Sequence, residues 1–129
     1  MKRRERLSGR RQFAAVRAGR CSAGTASLRV HVAANGLAHA RFGFAIPKSL
    51  GGAVQRNTVR RRLRAALHPQ RHELAGLDVV VSASPSALRL PFADLEAELL
   101  RSLGAARARM AENGPVRPGP RRALMPVYA

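Results

Sequence analysis

The segment GGAVQRNTVRRRLRAALH, which runs from Gly51 to His68, constrains the fold more than any other part of the chain. It carries five arginines from Arg56 to Arg64, yet apolar residues recur among them at helical spacing. With about 100° per residue, the apolar side chains form one continuous stripe, made of Val59, Leu63, Ala66 and Leu67. The sequence therefore predicts a helix from Ala53 to His68 that packs on a core through this stripe and stops at Pro69.

The polar side of this helix is strongly cationic. Most of its polar residues project away from the stripe, and these are Asn57, Arg60, Arg61, Arg64 and His68, whereas Arg62 stands apart from them. Arginines one helical turn apart repel each other by a few tenths of a kcal/mol, and no acidic residue between positions 51 and 72 relieves them. A solvated structural helix normally mixes charge signs, so we interpret this side as a phosphate-binding surface, with a merely charged outer face as the alternative.

The distribution of charge over the chain supports the same interpretation. The protein has 129 residues, 24 of them Lys or Arg and 7 Asp or Glu, and its formal net charge is +17. Residues 1–72 contain 17 of the basic residues and a single acidic one, Glu5. Charge that served solubility alone would be spread more evenly, so the asymmetry indicates one polyanion-binding surface built from the first half. Nucleic acid is the usual partner of such a surface, and an anionic membrane is the alternative.

Cysteine content and hydropathy narrow the class of protein further. Cys21 is the single cysteine, which excludes a disulfide framework and a cysteine-based metal site. The basic N-terminus has no apolar segment behind it, so it does not resemble a secretion signal. No apolar run approaches the length of about 18 residues that predicts a membrane-spanning helix. We therefore expect a cytoplasmic protein.

The remaining hydrophobic patterns predict an alternation of helices and strands. A helix follows Ser8 and stops near Gly19, strands are expected at TASLRVHVAA, ARFGFAIPK and GLDVVVSAS, and a last helix begins near Pro91. The order is α-β-β-α-β-α, or α-β-β-β-α-β-α if the first strand region is split in two. Either order predicts an α+β protein, a two-layer α/β sandwich in which one mixed sheet carries helices mainly on one face.

The domain organisation is expected to be simple. A chain of this length supports one core, so a single α/β domain is predicted over residues 1–112. Its first seven residues, 1–7, are basic and are expected to be flexible. Residues 113–129 contain four prolines and two glycines, which predicts a flexible C-terminal tail.

The segment KSLGGAVQRNTVRRRLR resembles the signature of the bacterial ribonuclease P protein component, whose pattern runs roughly K-K-x-G-x-A-V-x-R-N-R-x-K-R-x-x-R. The matching positions are Lys48, Gly51, Ala53, Val54, Arg56, Asn57, Arg61 (or Arg62) and Arg64. Three more blocks, RLSGRRQFAAVRAGR, RFGFAIPK and GLDVVVSASPSALRLPFADLEAELLRSL, match the family in the same order. Four blocks at the right spacing are specific, and the resemblance covers roughly residues 4–110.

The resemblance implies a fold like the second domain of ribosomal protein S5 and a role as the accessory subunit of a ribonucleoprotein endoribonuclease. In that family a large catalytic RNA hydrolyses precursor tRNA and removes its 5′ leader, using Mg²⁺ that the RNA mainly holds. The resemblance therefore implies no catalytic residue on the protein and no metal or other cofactor bound by the protein alone. It also implies no membrane, no obligatory protein partner and one protein for each RNA subunit.

The resemblance further assigns two groups of binding residues. The first would contact the RNA subunit through the arginine helix and the loop before it, and consists of Lys48, Arg56, Asn57, Arg60, Arg61, Arg62 and Arg64. The second would line a cleft between the first helix and the sheet that holds the single-stranded leader, and consists of Phe13, Arg17, Arg29, Phe42 and Phe44. Ordinary roles remain open for some of them: core for the phenylalanines, a helix cap for Asn57 and a solvated loop position for Lys48.

The chain departs from the family pattern at positions that bear on RNA contact. Thr58 stands where the signature usually has arginine, which removes one expected contact, and Ser49 stands where it has a second lysine. Arg17 replaces an aromatic residue of the first helix, and Val30 replaces a frequent aromatic residue of a strand. The leader cleft is therefore expected to be less aromatic than is typical.

Other functions account for the sequence less well. A non-catalytic protein that binds structured RNA, such as a ribosomal protein, shares the charge and the fold but leaves the pattern of Lys48, Arg56-Asn57 and Arg61 unexplained. A helix-turn-helix DNA-binding protein needs a helix where the sequence predicts the strand before the arginine helix. His68 and His72 are spaced like metal ligands on a helix, but Pro69 lies between them and no third ligand accompanies them.

Overall fold

The computed structural model describes residues 3–19 and 21–113 and orders them as an α+β domain. Its helices and strands are α1 (Gly9–Ala18), β1 (Ser22–Gly24), β2 (Leu28–Ala34), β3 (Arg41–Ala45), α2 (Ala53–Leu67), β4 (Leu77–Ala83) and α3 (Phe92–Asn113). This is the predicted order with the first strand region split in two. The arginine helix is the predicted one, except that it ends at Leu67 and the chain continues as a 3-10 turn, His68–Gln70. The flexible tail was predicted to begin at residue 113, but Asn113 is the last residue of α3, and residues 114–129 lie outside the described residues.

The four described strands form one mixed sheet in the order β1-β2-β4-β3. β2 runs antiparallel to both β1 and β4, whereas β3 and β4 are parallel neighbours. Parallel neighbours need a crossover connection, and α2 supplies it. β4 lies in the interior of the sheet, and every residue of this strand except Ser82 is buried. The valine run of β4 therefore occupies the central position that its sequence predicts.

One face of the sheet, which we call the core face, carries the apolar positions of the strands. The cross-strand pairs Val30↔Val81 and Val32↔Val79 lie at its centre, and Phe42 of β3 is level with Val79. α2 and α3 cover this face side by side, and α3 extends over β1 and β2. The predicted stripe of α2 is fully buried here, together with the apolar side of α3, which consists of Leu95, Leu99, Leu103 and Ala106.

The opposite face, which we call the open face, carries Arg29, His31 and Ser82 together with the residues that α1 covers. α1 lies against β2 and β4, and Val16 is its buried contact. The cluster beneath α1 is small and comprises Leu7, Val16, Ala33 and Val80, with Phe13 packed against it. The predicted arrangement of helices mainly on one face is confirmed, and α1 is the helix on the other side.

A glycine in β3 forms the seat of α1. Gly43 is buried on the open face, and a Cβ atom placed on it would lie 2.5 Å from Cζ of Phe13 and 2.8 Å from Cε2. Carbon atoms do not approach each other that closely, so any side chain at this position would displace the phenyl ring. Because side chains alternate along β3, Phe42 and Phe44 point to the core face, whereas Gly43 leaves room for the Phe13 ring on the open face.

The segment before α1 is held against the edge of the sheet. Arg6 forms a parallel bridge with Phe42, and the backbone N–H of Leu7 donates to the Phe42 carbonyl at 2.8 Å. Leu7 is 7% exposed and belongs to the cluster under α1. The expectation that residues 1–7 are flexible is therefore wrong for Arg6 and Leu7, because an apolar side chain and an edge hydrogen bond fix them.

An ion pair closes one end of the open face. Arg41 donates from Nε and Nη2 to the two carboxylate oxygens of Asp78, at 2.8 and 2.7 Å, and Asn35 Nδ2 adds a bond of 2.9 Å to Oδ1. Asp78 is buried, and its hydrogen bonds raise the pKa of Arg41 above the ordinary arginine value. The carboxylate on the central strand is thus neutralised and saturated by its neighbours.

Candidate nucleic-acid interface

The outward side of α2 forms the first candidate surface. An open depression of about 390 Å³ is lined there by Val54, Asn57, Arg60, Arg61 and Arg64. We call these three arginines with Asn57 the cationic surface. The helix presents them together because their spacing places them opposite the buried stripe that docks α2 on the core face. The structure therefore brings together four of the residues that the resemblance assigns to RNA-subunit contact.

A hydrogen bond connects two residues of the cationic surface. Arg60 Nη1 donates to Asn57 Oδ1 at 2.7 Å, which fixes one guanidinium against the helix. Asn57 lies inside α2, whose N-cap residue is Gly52, so the alternative that Asn57 caps the helix is wrong. Its amide oxygen instead orients an arginine, and its side chain remains exposed.

No arginine of α2 forms an ion pair with a described carboxylate. Arg56 and Arg64 are half-buried, and their Nε atoms are enclosed without a hydrogen-bond partner in the described part of the chain. Arginine commonly packs its stem on apolar surface while the charged end points outward. Positive charge therefore accumulates on this side of α2 with no acidic side chain among the described residues to neutralise it.

Arg62 lies apart from the cationic surface, as its position around the helix indicates, and its contact with RNA stays a prediction. Its Nη1 donates to the Leu90 carbonyl at 2.9 Å, in the segment just before α3. The bond follows from its isolated position around the helix, which points it toward α3. The structure therefore gives Arg62 a structural role, in which it ties α2 to the start of α3.

Lys48 lies in the 3-10 turn Lys48–Leu50 that leads into α2. Its side chain is exposed, whereas Leu50 is buried and anchors the turn. Gly51 follows with φ 153°, and a Cβ atom there would lie 2.9 Å from Cβ of Gln55. Glycine at this position thus lets the turn meet the helix closely and places Lys48 just before the first turn of α2.

Thr58 adds no contact to this surface. Its hydroxyl donates to the Val54 carbonyl one turn earlier, at 2.9 Å. The position that usually carries arginine in the family pattern is therefore neutral here, and its polar atom is engaged by the helix itself.

The open face forms the second candidate surface, beside α1. One depression of about 560 Å³ is lined by Gly9, Arg10, Phe13, Ala14 and Arg17. A second, of about 410 Å³, is lined by Arg17, Ala45, Ile46, Pro47, Ser82 and Ala83. Arg17 borders both, and Lys48 directly follows the rim residue Pro47 in the chain. The first depression lies along α1, the second lies between α1 and the exposed part of the sheet, and they meet at Arg17. We call the two together the cleft.

Phe42 and Phe44 do not line this cleft. Both lie on the core face, where Phe42 is 1% exposed and Phe44 packs against the same cluster. The prediction that they share a cleft with Phe13 is wrong, because alternation along β3 directs them away from α1. Their ordinary role as core residues is the one the structure shows. Phe13, Arg17 and Arg29 remain on the open face, as the predicted cleft requires.

Three polar residues of the open face were not among the predicted sites. They are Ser22, His31 and Ser82, which lie on the open face of β1, β2 and β4. Arg29 Nη1 donates to Ser22 Oγ at 3.1 Å, and Arg17 Nη2 lies 3.5 Å from Ser82 Oγ. The alternation of β2 does place His31 on the same side as Arg29, so this signal could have identified it.

Two further findings concern the described residues as a whole. No three His, Cys, Asp or Glu side chains among them lie close enough to hold a metal ion. No described helix has the length and hydropathy of a membrane span.

A sequence profile of the Ribonuclease P family matches residues 1–107. This chain belongs to that family. It is 37% identical over 107 residues to the ribonuclease P protein component of Roseiflexus sp. strain RS-1, which covers 80% of this chain and 86% of the relative. The protein component of Beutenbergia cavernae is 47% identical over 68 residues, 50% of this chain and 57% of the relative.

Solved ribonuclease P proteins share the fold. The Staphylococcus aureus protein superposes with a TM-score of 0.73 at 24% identity, over 80% of this chain and 95% of that one. The Thermotoga maritima protein superposes with a TM-score of 0.67 at 25% identity, over 75% and 93% of the two chains. The fold expected from the resemblance is therefore confirmed.

Proposed function

We propose that this chain is the protein subunit of a cytoplasmic ribonuclease P. It binds the catalytic RNA subunit through the cationic surface of α2 and holds the 5′ leader of precursor tRNA in the cleft on the open face. The observation that carries the proposal is the cationic surface itself, whose arginines Arg60, Arg61 and Arg64 have no described carboxylate partner. A separate cleft with an aromatic ring and two further arginines supports a second RNA ligand.

The cationic surface suits the backbone of a folded RNA. A guanidinium offers several N–H groups in a planar fork that matches phosphate oxygens, and α2 displays three of them along one side. Lys48 extends the same charge just before the helix. Because each phosphate contact releases condensed counterions, affinity should fall steeply as salt rises.

The cleft on the open face suits a single strand. A base can stack on an exposed part of the Phe13 ring, which is half-buried on Gly43, and such stacking does not depend on sequence. Arg17 and Arg29 lie on either side of the exposed strands, within reach of the backbone phosphates. A cleft of this kind accepts leaders of different sequence, which a general tRNA-processing enzyme needs.

Hydrolysis is assigned to the RNA subunit, and Mg²⁺ held mainly by that RNA would supply the activated water and stabilise the leaving oxygen. The protein would contribute binding. Two polyanions repel each other when the RNA subunit meets precursor tRNA, and a protein of formal net charge +17 offsets that repulsion. The benefit of the protein should therefore be largest at low Mg²⁺ and low salt.

The decisive experiment measures 5′ cleavage of a precursor tRNA at low Mg²⁺. Reactions contain a bacterial ribonuclease P RNA alone, this protein alone, or both. Cleavage in the mixture alone supports the accessory role. Cleavage by the protein alone would place the chemistry on the chain and contradict the proposal. No stimulation in any mixture would favour a plain structured-RNA-binding protein.

A charge-matched pair of variants locates the RNA-subunit contact. Arg60→Ala with Arg61→Ala should lower the slope of log affinity against log salt by about two units while the protein stays folded. Arg107→Ala with Arg109→Ala removes the same charge from exposed positions on α3 and serves as the control. Equal loss of affinity in both double variants would mean that net charge, not the cationic surface of α2, drives binding.

A further inference from the structure

His31 is a titratable group of the open face to which the proposed function assigns no role. It lies in the middle of β2 on the open face, opposite Ser22 of β1 and Val80 of β4. The residue is half-buried, and its Nδ1 atom is enclosed without a hydrogen-bond partner. Buried polar atoms are nearly always satisfied, so an orphan atom beside a binding cleft calls for an explanation.

Two guanidinium groups flank His31 from opposite sides. Arg29 reaches across β1 and donates to Ser22 Oγ at 3.1 Å, and Ser22 is the residue paired with His31. Arg17 descends from α1 toward the other side, where its Nη2 lies 3.5 Å from Ser82 Oγ on β4. The imidazole therefore lies on the open face near two exposed guanidinium groups, and both of their charges act on it.

No unpaired carboxylate faces His31 from the described elements packed around it. α1 contributes Arg17, β1 contributes Ser22, and β2 itself contributes Arg29. β4 contributes Ser82, two positions after Val80, and the carboxylate of Asp78, two positions before it. That carboxylate is held by Arg41 of β3 and by Asn35. Burial first, and then the charges of the two arginines, lower the pKa of His31 from 6.5, so the ring is neutral at neutral pH in the free protein.

We propose that Arg17, Arg29 and His31 together bind one phosphodiester group of single-stranded RNA, and that His31 takes up a proton when the phosphate binds. The inference rests on the proposed function, because the phosphate belongs to the leader. An anion in the cleft cancels the field of the two arginines and offers an acceptor to the ring. Both changes favour the charged imidazolium. His31 is thus a binding residue that becomes cationic only when its ligand is present.

Proton uptake fixes the sign of the pH dependence. Binding that takes up one proton strengthens as pH falls, by up to about tenfold per pH unit, until free His31 is itself protonated. A purely structural His31 would leave leader affinity independent of pH and would change the stability of the fold instead. Its pKa in the folded protein is lowered, so the unfolded chain binds more protons and the fold loses stability as pH falls through 6.5. The pH dependence of leader affinity therefore separates a binding role from a structural one.

The test uses the full chain assembled with its RNA subunit. The affinity for precursor tRNA is divided by the affinity for the same tRNA without a leader, from about pH 8 to about pH 5.5, the range in which histidine titrates. We expect this ratio to rise severalfold with falling pH in the unmodified protein and to stay flat in His31→Gln. His72→Gln, an exposed histidine in the turn after α2, is the matched control and should keep the rise.

The outcomes distinguish this inference from the function on which it rests. A leader-dependent ratio that does not change with pH, or that rises equally in His31→Gln, overturns the inference and leaves the function standing. A ratio of one at every pH overturns both. Direct titration of the His31 ring by NMR in the full chain gives a second readout. Its pKa should rise when a single-stranded RNA oligonucleotide is added, and an unchanged value would contradict proton uptake.

Discussion

The two faces of the sheet are built from the same strands, yet one is buried in the core and the other is largely exposed. On the core face, Val30 and Val32 of β2 are fully buried beneath α2 and α3. On the open face, Arg29 of the same strand is exposed and His31 is half-buried, because α1 covers this face only in part. Because side chains alternate along a strand, each residue of β2 serves either stability or binding. Substitutions on the open face can therefore change the cleft at little cost to the core, provided that they leave the core-facing positions of each strand unchanged.

The largest expected loss of stability comes from a substitution on the core face. Phe42→Ala should lower the free energy of unfolding by about 3–5 kcal/mol, because it removes a buried ring between the sheet and its helices. Phe13→Ala on the open face should cost about 1–2 kcal/mol, since its ring is only half-buried. Urea denaturation measures both. Equal losses would show that the two faces contribute alike, and Phe42→Leu should leave leader affinity unchanged.

The next effect removes the ion pair at the end of the open face. Asp78→Asn should destabilise the protein by about 1–3 kcal/mol, because Arg41 loses its charged partner. The lower part of that range is expected, since the Arg41 side chain is 24% exposed and water screens it. Thermal unfolding at neutral pH measures the loss. Glu73→Gln, at an exposed position, is the control and should stay within about 0.5 kcal/mol.

A smaller effect sharpens the role of the glycine seat. Gly43→Ala places a methyl group against the Phe13 ring and should destabilise by about 1–2 kcal/mol while weakening leader binding. Phe13→Leu in the same chain should recover part of the stability, which a double-mutant cycle would measure. Gly104→Ala on α3 meets no neighbouring atom and should stabilise the protein instead, by up to about 1 kcal/mol. Additive losses from Gly43→Ala and Phe13→Leu would show that the ring does not rest on this glycine.

The smallest effect compares two neighbouring arginines of α2. Arg62→Ala should cost about 0.5–1.5 kcal/mol of stability, the worth of its bond to the Leu90 carbonyl, and leave the salt dependence of RNA binding unchanged. Arg61→Ala should do the reverse, with stability unchanged and the salt slope lower by about one unit. Filter binding over a salt series measures the slope. A lower slope in Arg62→Ala would return this residue to the RNA-binding set.

Sequence periodicity predicted the parts of the fold that depend on local pattern. The spacing of the apolar residues in α2 and the run of valines in β4 were enough to predict that they are buried, and both lie in the core as predicted. The order of elements followed for the same reason. The side of the sheet on which α1 packs could not be predicted. Phe13 and Val16 define an apolar face of the helix, but their spacing does not show which surface that face packs against.

Contacts to a distant partner were the ones that sequence reasoning could not supply. Arg62 bonds a carbonyl 28 positions away, and Leu7 bonds the backbone of Phe42. No local pattern contains either partner. His31 is a different case, since alternation placed it on the same side as Arg29, but the second positive charge that acts on it depends on where α1 places Arg17. The resemblance assigned Phe42 to the cleft together with Phe13, although alternation along β3 places Phe42 and Phe44 on the face opposite to Gly43.

The small cluster beneath α1 has a consequence for motion. α1 is anchored by Val16 and by Phe13, which packs on Gly43, whereas the residues of β4 are buried on both faces of the sheet. Elements with few buried contacts open at a lower free energy than the whole domain unfolds. We therefore expect the amide protons of α1 to exchange with solvent far sooner than those of β4. A strand of RNA that spans α1 and the sheet would hold that helix closed, so its arrival would be visible as slower exchange in α1 alone.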